Sequence, residues 1–261
     1  MAELSLRISN LCWSPSEGGF EFGPVSEVAE QGCFIALVGP NGSGKTTLLN
    51  LLSGLLNSET GQICYSGTEW KNWSARKRGR HMAFLSQAPE KPFGFSVRDY
   101  IALGRFPHLG PFRRPGAADR LSISSEMEAW GLKAMEERSV STLSGGEFQK
   151  VRLARALVQE PKILLMDEPG NHLDLTSRMD ILRRLKREAE RGKTVIAVLH
   201  DINDALLYAD RVWLFAEGKL HLSGLPSRIL SPETLNEVYG ISLEAFKNPK
   251  GVTMLGSCHS Q

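Results

Sequence analysis

Cysteine is scarce in this sequence of 261 residues. The four cysteines stand at positions 12, 33, 64 and 258, and none forms a Cys-x-x-Cys pair. Disulfide frameworks and zinc sites need several cysteines at characteristic spacings, so this pattern argues against both. It indicates a reduced, cytosolic protein.

Long apolar runs are also missing. No stretch approaches the roughly 18 apolar residues that a membrane-spanning helix needs. The first residues alternate polar and apolar side chains as a strand does, and they lack the basic start and apolar core of a signal peptide. We therefore expect no signal peptide, and we expect any membrane role to depend on a partner protein.

The net charge is small. The 31 Lys and Arg residues against 29 Asp and Glu residues leave a formal charge of +2, too little to indicate binding to nucleic acid or to an anionic membrane. Basic clusters occur at residues 76–80 and 113–114, and such clusters are typical of a solvated face. The length and the 41% hydrophobic content allow one large domain or two small ones.

What the sequence does contain is a phosphate-binding loop, Gly-x-x-x-x-Gly-Lys-Thr, between an apolar run at 34–38 and a leucine-rich stretch with helical spacing. Glycines let backbone N–H groups approach phosphate oxygens, and the helix that follows adds the positive end of its dipole. Lys45 supplies a charge for the outer phosphates, and the Thr46 hydroxyl suits Mg²⁺. The residues predicted to bind nucleotide here are Gly39, Pro40, Asn41, Gly42, Ser43, Gly44, Lys45, Thr46 and Thr47.

Further continuous apolar runs, at 163–166 and 194–199, alternate with helical patterns. This order predicts an α/β fold with a mostly parallel core sheet covered on both faces. We expect one domain over residues 1–240, a helical insert at about 89–158, and a C-terminal tail at 241–261. Residues 4–11 predict a strand, and residues 14–24, rich in Ser, Gly and Pro, predict a turn region.

Two acidic residues, Asp167 and Glu168, end the apolar run at 163–166. In parallel sheets, ligands bind at the carboxyl ends of the strands, so both acids should face the phosphate-binding loop. Asp167 suits the Mg²⁺ shell, and Glu168 is placed to polarise an attacking water molecule. The alternative, a pair of solvated acids at a strand end, is disfavoured by the presence of the loop.

A second anion-binding helix start is predicted at residues 143–147, Leu-Ser-Gly-Gly-Glu. Ser144 and Glu147 have the spacing of a capping box. Gly145 and Gly146 leave backbone N–H groups bare, and two glycines in a first turn cost helix stability, so capping alone does not explain them.

Together these motifs resemble the ABC-type ATPase subunits over residues 4–240, which implies a P-loop fold with an N-terminal antiparallel β portion and a helical insert. The matching segments are the Walker A loop at 39–46, the Q-loop at Gln87, the signature motif at 143–147, the Walker B strand at 163–168, the D-loop at 171–174 and the switch histidine at His200. The resemblance implies catalytic roles for Glu168, His200 and Gln87, and a metal shell of Thr46, Gln87 and Asp167.

The same resemblance implies the cofactors and partners. ATP and Mg²⁺ would lie between Lys45 of one subunit and Ser144, Gly145 and Gly146 of another, in a head-to-tail homodimer. Two transmembrane permease subunits would bind this dimer at the cytoplasmic face of the inner membrane, a substrate-binding protein would act indirectly, and no nucleic acid is expected.

Two positions depart from the family pattern. Gly170 stands where Ser or Thr usually follows Asp-Glu-Pro, and we expect a looser turn there with activity retained. The adenine-stacking aromatic is Trp13 by approximate position, with Phe20 as the second choice.

Three functions compete on these motifs. The first is the ATPase of an importer, since residues 96–110 resemble a segment of the importers for iron–siderophore, haem and cobalamin. The others are a soluble ABC assembly or translation factor and an exporter ATPase. Each motif occurs once, which argues against the tandem type of translation factor. Four phenylalanines and one leucine in and around this segment predict a partner surface or, alternatively, the core of the insert. They are Phe93, Phe95, Phe106, Leu109 and Phe112.

Overall fold

The computed structural model describes residues 4–15, 18–87, 91–109, 113–171, 173–247 and 253–257. The strands of these residues are β1 (Leu4–Trp13), β2 (Phe22–Glu30), β3 (Phe34–Val38), β4 (Thr60–Tyr65), β5 (Thr68–Glu69), β6 (Met82–Leu85), β7 (Ile163–Asp167), β8 (Thr194–Val198), β9 (Arg211–Ala216), β10 (Lys219–Gly224), β11 (Leu243–Lys247) and β12 (Thr253–Ser257).

The α-helices of the described residues are α1 (Lys45–Ser53), α2 (Ala75–His81), α3 (Val97–Ala102), α4 (Ala117–Ala129), α5 (Gly145–Val158), α6 (Leu175–Glu190), α7 (Ile202–Tyr208), α8 (Pro226–Ile229) and α9 (Pro232–Tyr239). Short 3-10 turns occur at Trp70–Asn72, Leu103–Arg105, Lys133–Met135 and Val140–Thr142. None of the helices in this part of the chain is long and apolar enough to cross a membrane.

The core is a six-stranded sheet with the order β10-β9-β3-β8-β7-β6. Strands β9, β3, β8, β7 and β6 are parallel, and only β10 pairs antiparallel within this sheet. The predicted mostly parallel core sheet is therefore confirmed. Because parallel strands end at the same edge, the segments after β3, β6, β7 and β8 meet there.

Both faces of the core sheet are covered, as the continuous apolar runs predicted. Alternate residues of a strand point to opposite faces. Ile35 and Leu37 of β3 accordingly belong to a cluster shared with the N-terminal sheet and α1. Ala36 and Val38 belong to a second cluster, which contains residues of α5, α6 and α9.

The N-terminal sheet is antiparallel with the order β2-β1-β4-β5, which confirms the expected antiparallel portion. The prediction of a turn region over residues 14–24 was wrong at its end, because β2 begins at Phe22. Phe22 and Val25 are buried against the first cluster. Strand β2 lies at the edge of its sheet, where Pro24, which has no N–H, can be accommodated.

A helical insert follows β6, as expected. Helices α3 and α4 pack against α5 around a third apolar cluster. Phe95 packs against this cluster, with its ring edge-on to Tyr100 at 6.4 Å.

The end of the described chain forms a helix and a hairpin. Ser231 caps α9, Pro232 is its first residue, and Gly240 ends it in a left-handed conformation. Strands β11 and β12, which the sequence reasoning did not predict, form a separate two-stranded hairpin. The side chain of Asn203 holds this hairpin to α7 through two hydrogen bonds to the backbone of Leu255, at 2.8 and 3.0 Å.

Candidate active site

The phosphate-binding loop leaves β3 and enters α1 at the carboxyl edge of the core sheet. Gly39 has a φ of 148°, and a Cβ added to it would lie 2.1 Å from the backbone oxygen of Phe215. Only glycine fits so close an approach. Gly44 precedes α1 with a φ of 99° and offers no side-chain cap, so the first N–H groups of α1 face outward for another acceptor.

Lys45 is the buried charge of this loop. Its side chain is only 6% exposed, and Nζ donates to the backbone oxygens of Gly39 at 2.7 Å and Pro40 at 2.6 Å, with Ser43 Oγ at 3.3 Å. Burial lowers the pKa of Lys45, while the nearby carboxylates of Glu168 and Asp167 oppose that shift. The ammonium group is therefore fixed beside the start of α1.

Asp167 ends β7 beside the first turn of α1. Its side chain is 3% exposed, and the Thr46 hydroxyl donates to its Oδ1 at 3.3 Å. Burial raises the pKa of Asp167, and the bond from Thr46 partly offsets this. A hydroxyl and a carboxylate in contact are ligands of the kind that Mg²⁺ uses together with nucleotide phosphates.

Glu168, the next residue, has a φ of 52°. A left-handed backbone at a residue other than glycine carries strain and is common at functional sites. Its carboxylate accepts hydrogen bonds from Gln87 Nε2 at 3.1 Å and Asn171 Nδ2 at 2.7 Å, and His200 Nε2 lies 2.5 Å from Oε1. The tautomer of His200 with its proton on Nε2 would donate to this carboxylate. The segments that follow β6, β7 and β8 thus meet at one carboxylate.

Lys45, Thr46 and Glu168, with the three hydrogen-bond partners of Glu168, line one open cleft of about 660 Å³. Its described lining residues are Phe20, Asn41, Gly42, Gly44, Lys45, Thr46, Thr47, Gln87, Glu168, Asn171 and His200. The volume falls in the range of small-molecule sites. The structure therefore brings together the phosphate-binding loop and all three residues predicted to be catalytic.

Among the described residues that line this cleft, the one Phe, Tyr or Trp is Phe20, the second choice predicted from the sequence. Trp13, the first choice, lies opposite Phe22 in the β1–β2 pair, packs against the first core cluster, and is not among the described residues that line the cleft. The reason is that β1 extends to residue 13, which keeps its ring in the N-terminal sheet.

The second predicted anion site lies at the start of α5. The Ser144 side chain accepts from the Glu147 N–H at 3.2 Å, and the Glu147 carboxylate accepts from the Ser144 N–H at 2.7 Å. The predicted capping box is confirmed. A Cβ added to Gly145 would meet nothing within 4 Å. Among the described residues, Ser144, Gly145 and Gly146 do not line the cleft, so this chain does not bring the two anion sites together.

Two buried polar residues of α5 were missed by sequence reasoning. Gln149 Nε2 donates to the backbone oxygen of Pro169 at 2.7 Å, and Arg152 donates to Gln149 Oε1 at 2.8 Å and to the backbone oxygen of Ser86. These bonds tie α5 to the residues beside Gln87 and Glu168. No local pattern distinguishes them from solvated residues of a helix, because their partners lie 20 and 66 residues away.

The predicted D-loop is described except for His172, which lies outside the described residues. Asn171 contacts Glu168 as above, and Asp174 caps α6 by accepting from the Ser177 N–H at 2.9 Å. Within the described residues, no group of three or more His, Cys, Asp or Glu side chains could hold a metal ion. The Thr46 hydroxyl and the Asp167 carboxylate are two oxygen donors in contact, which fits an ion that takes its other ligands from a nucleotide and from water.

Comparisons with known proteins agree with this geometry. Residues 22–171 match the sequence model of the family described as ABC transporter. A hemin import ATP-binding protein, HmuV of Myxococcus xanthus, is 38% identical over 238 residues, covering 88% of each chain. The ferric enterobactin transport ATP-binding protein FepC of Escherichia coli is 35% identical over 225 residues, covering 86% of this chain and 83% of FepC.

Solved structures give the same result. A chain from an inward-facing metal-chelate type ABC transporter superposes with a TM-score of 0.86 at 26% identity, covering 98% of both chains. A dimeric post-hydrolysis state of the ATP-binding cassette MJ0796, bound to ADP and Pi, superposes with a TM-score of 0.75 at 25% identity, covering 85% of this chain and 98% of that one.

Proposed function

The chain belongs to the ABC transporter family and is an ATP hydrolase of the ABC type, and from that premise we propose that it energises a membrane importer for an iron–siderophore, haem or a corrinoid. The import proteins for hemin and ferric enterobactin support this substrate class. We propose one ABC ATPase domain at residues 1–240, with the helical insert at about 89–158 and the tail at 241–261.

In the proposed reaction, the start of α1 and Lys45 bind the phosphates of ATP. The Glu168 carboxylate accepts a proton from the attacking water, and Gln87, Asn171 and His200 orient that carboxylate through the hydrogen bonds described above. Thr46, Asp167 and Gln87 would hold Mg²⁺, which neutralises phosphate charge when bound. Phe20 is the residue on the cleft that can stack on the adenine base.

We further propose that the chain works as a head-to-tail homodimer. The start of α5, open at Gly145, then completes the nucleotide site of the second copy. The dimeric cassette structure supports ATPase dimers of this family. Two permease subunits would bind the dimer at the cytoplasmic face of the inner membrane, and a substrate-binding protein would act only through them.

The observation that carries the importer proposal is the exposure of two aromatic rings soon after Gln87. Phe93 is 91% exposed and Phe106 is 76% exposed, the two highest values among the large apolar side chains of the described residues. Exposed apolar surface of this kind is a mark of an interface. In contrast, Phe95 packs inside the insert, Leu109 is half-buried, and Phe112 lies outside the described residues.

The backbone around Phe106 is held rigidly. Arg76 Nε and Arg80 Nε donate to the backbone oxygen of Pro107 at 3.0 and 2.9 Å, and His108 Nε2 lies 2.8 Å from the backbone oxygen of Gln159. The basic cluster at 76–80, interpreted from sequence as a solvated face, therefore also positions this segment. A rigid loop that presents an apolar ring is suited to a docking partner.

The test is co-purification of the full chain with a permease of this importer class from the same organism. We expect the Phe93→Glu, Phe106→Glu double variant to lose the permease and to keep ATP binding. Leu55→Glu is the matched control, since Leu55 is 68% exposed just after α1, and it should keep both. Co-purification with soluble assembly proteins only, or unchanged uptake of iron, haem and corrinoid after deletion, would contradict the importer proposal.

A further inference from the structure

The space where a side chain of Gly170 would lie is occupied by the side chain of Arg178. A Cβ added to Gly170 would lie 2.7 Å from Cγ and 3.3 Å from Cδ of Arg178. Gly170 is not among the glycines with positive φ, so its backbone conformation does not require glycine. Glycine is required because Arg178 leaves no room for a side chain. The turn is also closed by a hydrogen bond from the Asn171 backbone N–H to the backbone oxygen of Glu168, at 3.2 Å. The expectation of a looser turn at this position stays a prediction.

The head group of Arg178 reaches the segment that carries His200. Its Nη2 lies 2.6 Å from Asp201 Oδ2, and its Nε lies 3.0 Å from Asp204 Oδ2. The Nε contact is ionic and not a directed hydrogen bond. Asp201 directly follows His200 and caps α7 by accepting from the Asn203 N–H at 2.9 Å.

Arg178 thus joins two loops that meet at the active site. Its stem packs on the turn after Glu168, and its guanidinium holds the turn after His200. A cavity of about 120 Å³ lies between these turns, and its lining includes Glu168, Gly170, Arg178, His200 and Asp201. Asp204, only 7% exposed, anchors the far side of the guanidinium. Two partners at fixed positions restrict an arginine more than one exposed ion pair would.

We infer that Arg178 is a positioning residue for ATP hydrolysis, which holds the His200 segment in register with Glu168 through Asp201 and Asp204, and that Gly170 is glycine because this arginine occupies the space of a side chain. The inference rests on the proposed roles of Glu168 and His200. Arg178 does not touch the cleft that binds nucleotide, so it should affect the chemical step and not ATP affinity.

The test is a double-mutant cycle on the full chain, with kcat and KM for ATP as readouts. Arg178→Ala should lower kcat about tenfold with KM nearly unchanged. Gly170→Ser should cause a similar loss, because the added side chain displaces Arg178. In the Arg178→Ala background, however, Gly170→Ser should cost little, since both changes break the same connection. Arg178→Lys, which keeps the charge, should recover part of kcat.

Matched controls separate this role from general stability. Arg183→Met removes another arginine of α6 whose ion pair with Asp180 is half-exposed. Gly116→Ser adds a side chain at the start of α4, where its Cβ would lie 3.6 Å from Asp119 Oδ2, an ordinary contact. Both should keep kcat. Thermal melting of every variant checks that the chain is folded.

Each alternative outcome overturns the inference. It fails if Arg178→Ala keeps kcat, if Gly170→Ser keeps kcat in the wild-type background, or if Gly170→Ser costs the same factor in both backgrounds. It also fails if KM rises while kcat stays constant. Failure of the proposed catalytic roles would show separately, as full turnover in Glu168→Gln.

Discussion

The two glycine-rich helix starts of this protein differ in how much of a site they form. The start of α1 lies in a cleft with a buried lysine, a buried carboxylate and the hydrogen-bonded Glu168 around it. The start of α5 has a capping box, Ser144 and Glu147, and open space at Gly145. The first helix start is surrounded by groups that we propose bind phosphate and activate water, whereas the second is bounded by the two residues of its own cap.

This difference shows what each helix start needs from outside. The first has no side-chain cap, so its N–H groups are left for water or for a ligand such as phosphate. The second is already stable through its cap, so its glycines are unexplained unless another surface approaches closely. The comparison favours a second copy of the chain that supplies its cleft to the open helix start.

The largest effect should come from the first site. Glu168→Gln should lower ATP turnover roughly a thousandfold, because general base catalysis contributes on that order, and ATP binding should persist. With turnover blocked, ATP should hold the two helix starts together, so size measurement with Mg·ATP should show a dimer. Glu190→Gln, at the exposed end of α6, is the control. Normal turnover in Glu168→Gln would remove this residue from the proposed mechanism.

The next effect tests whether the second helix start acts on another chain. Lys45→Ala and Ser144→Arg should each be inactive alone. Mixed in equal amounts, they should recover roughly a quarter of the wild-type rate, because half of the dimers are mixed and each mixed dimer has one intact site of two. A crosslink between the Lys45 loop and Ser144 that forms within single chains, and never between two, would argue against this arrangement.

Asp204, an ion-pair partner of Arg178, should make the stability of the protein depend on pH. Burial raises the pKa of Asp204 from 3.8 to about 6. Protonated Asp204 therefore contributes stability to the folded state, which is fully present below about pH 4 and is lost as the pH rises through 6. Asp204→Asn removes this titration. The free energy of unfolding of the variant minus that of wild type should therefore rise by about 2 kcal/mol from pH 4 to pH 7.

Urea unfolding across this pH range measures the Asp204 effect. Asp180→Asn, on the exposed face of α6, is the control and should run parallel to wild type. Equal pH slopes for Asp204→Asn and wild type would show that Asp204 does not titrate differently in the folded and unfolded states.

The smallest effect concerns the cap of α5. Backbone and side-chain hydrogen bonds from Ser144 lower the pKa of Glu147. The pH dependence is therefore opposite to that of Asp204: the stability that ionised Glu147 contributes is present at neutral pH and lost on acidification. Ser144→Ala should cost about 1 kcal/mol of stability at pH 7 in denaturant unfolding.

Ser74→Ala, which removes the cap of α2, is the matched control for that loss. It should cost a similar amount of stability and leave ATPase activity intact, whereas Ser144→Ala should lower both. Equal activity in the two variants would mean that Ser144 serves only as a cap.

The local patterns of the sequence were sufficient for the core sheet and most of the cleft. Strand β3 has the predicted bounds, and β7 ends one residue later than its apolar run, at Asp167. Once the strands are parallel, their carboxyl ends share one edge. The placement of Lys45, Glu168 and His200 in one cleft then follows from chain order.

Only the tertiary structure decided what depends on distant neighbours. Strand β2 could be recognised only beside β1, and Phe20, not Trp13, faces the cleft because β1 continues to residue 13. Gly170 is occupied by a side chain eight positions further along, whose partners lie at 201 and 204. Local sequence determines which elements form, whereas the packing of elements distant along the chain determines which side chains share a space.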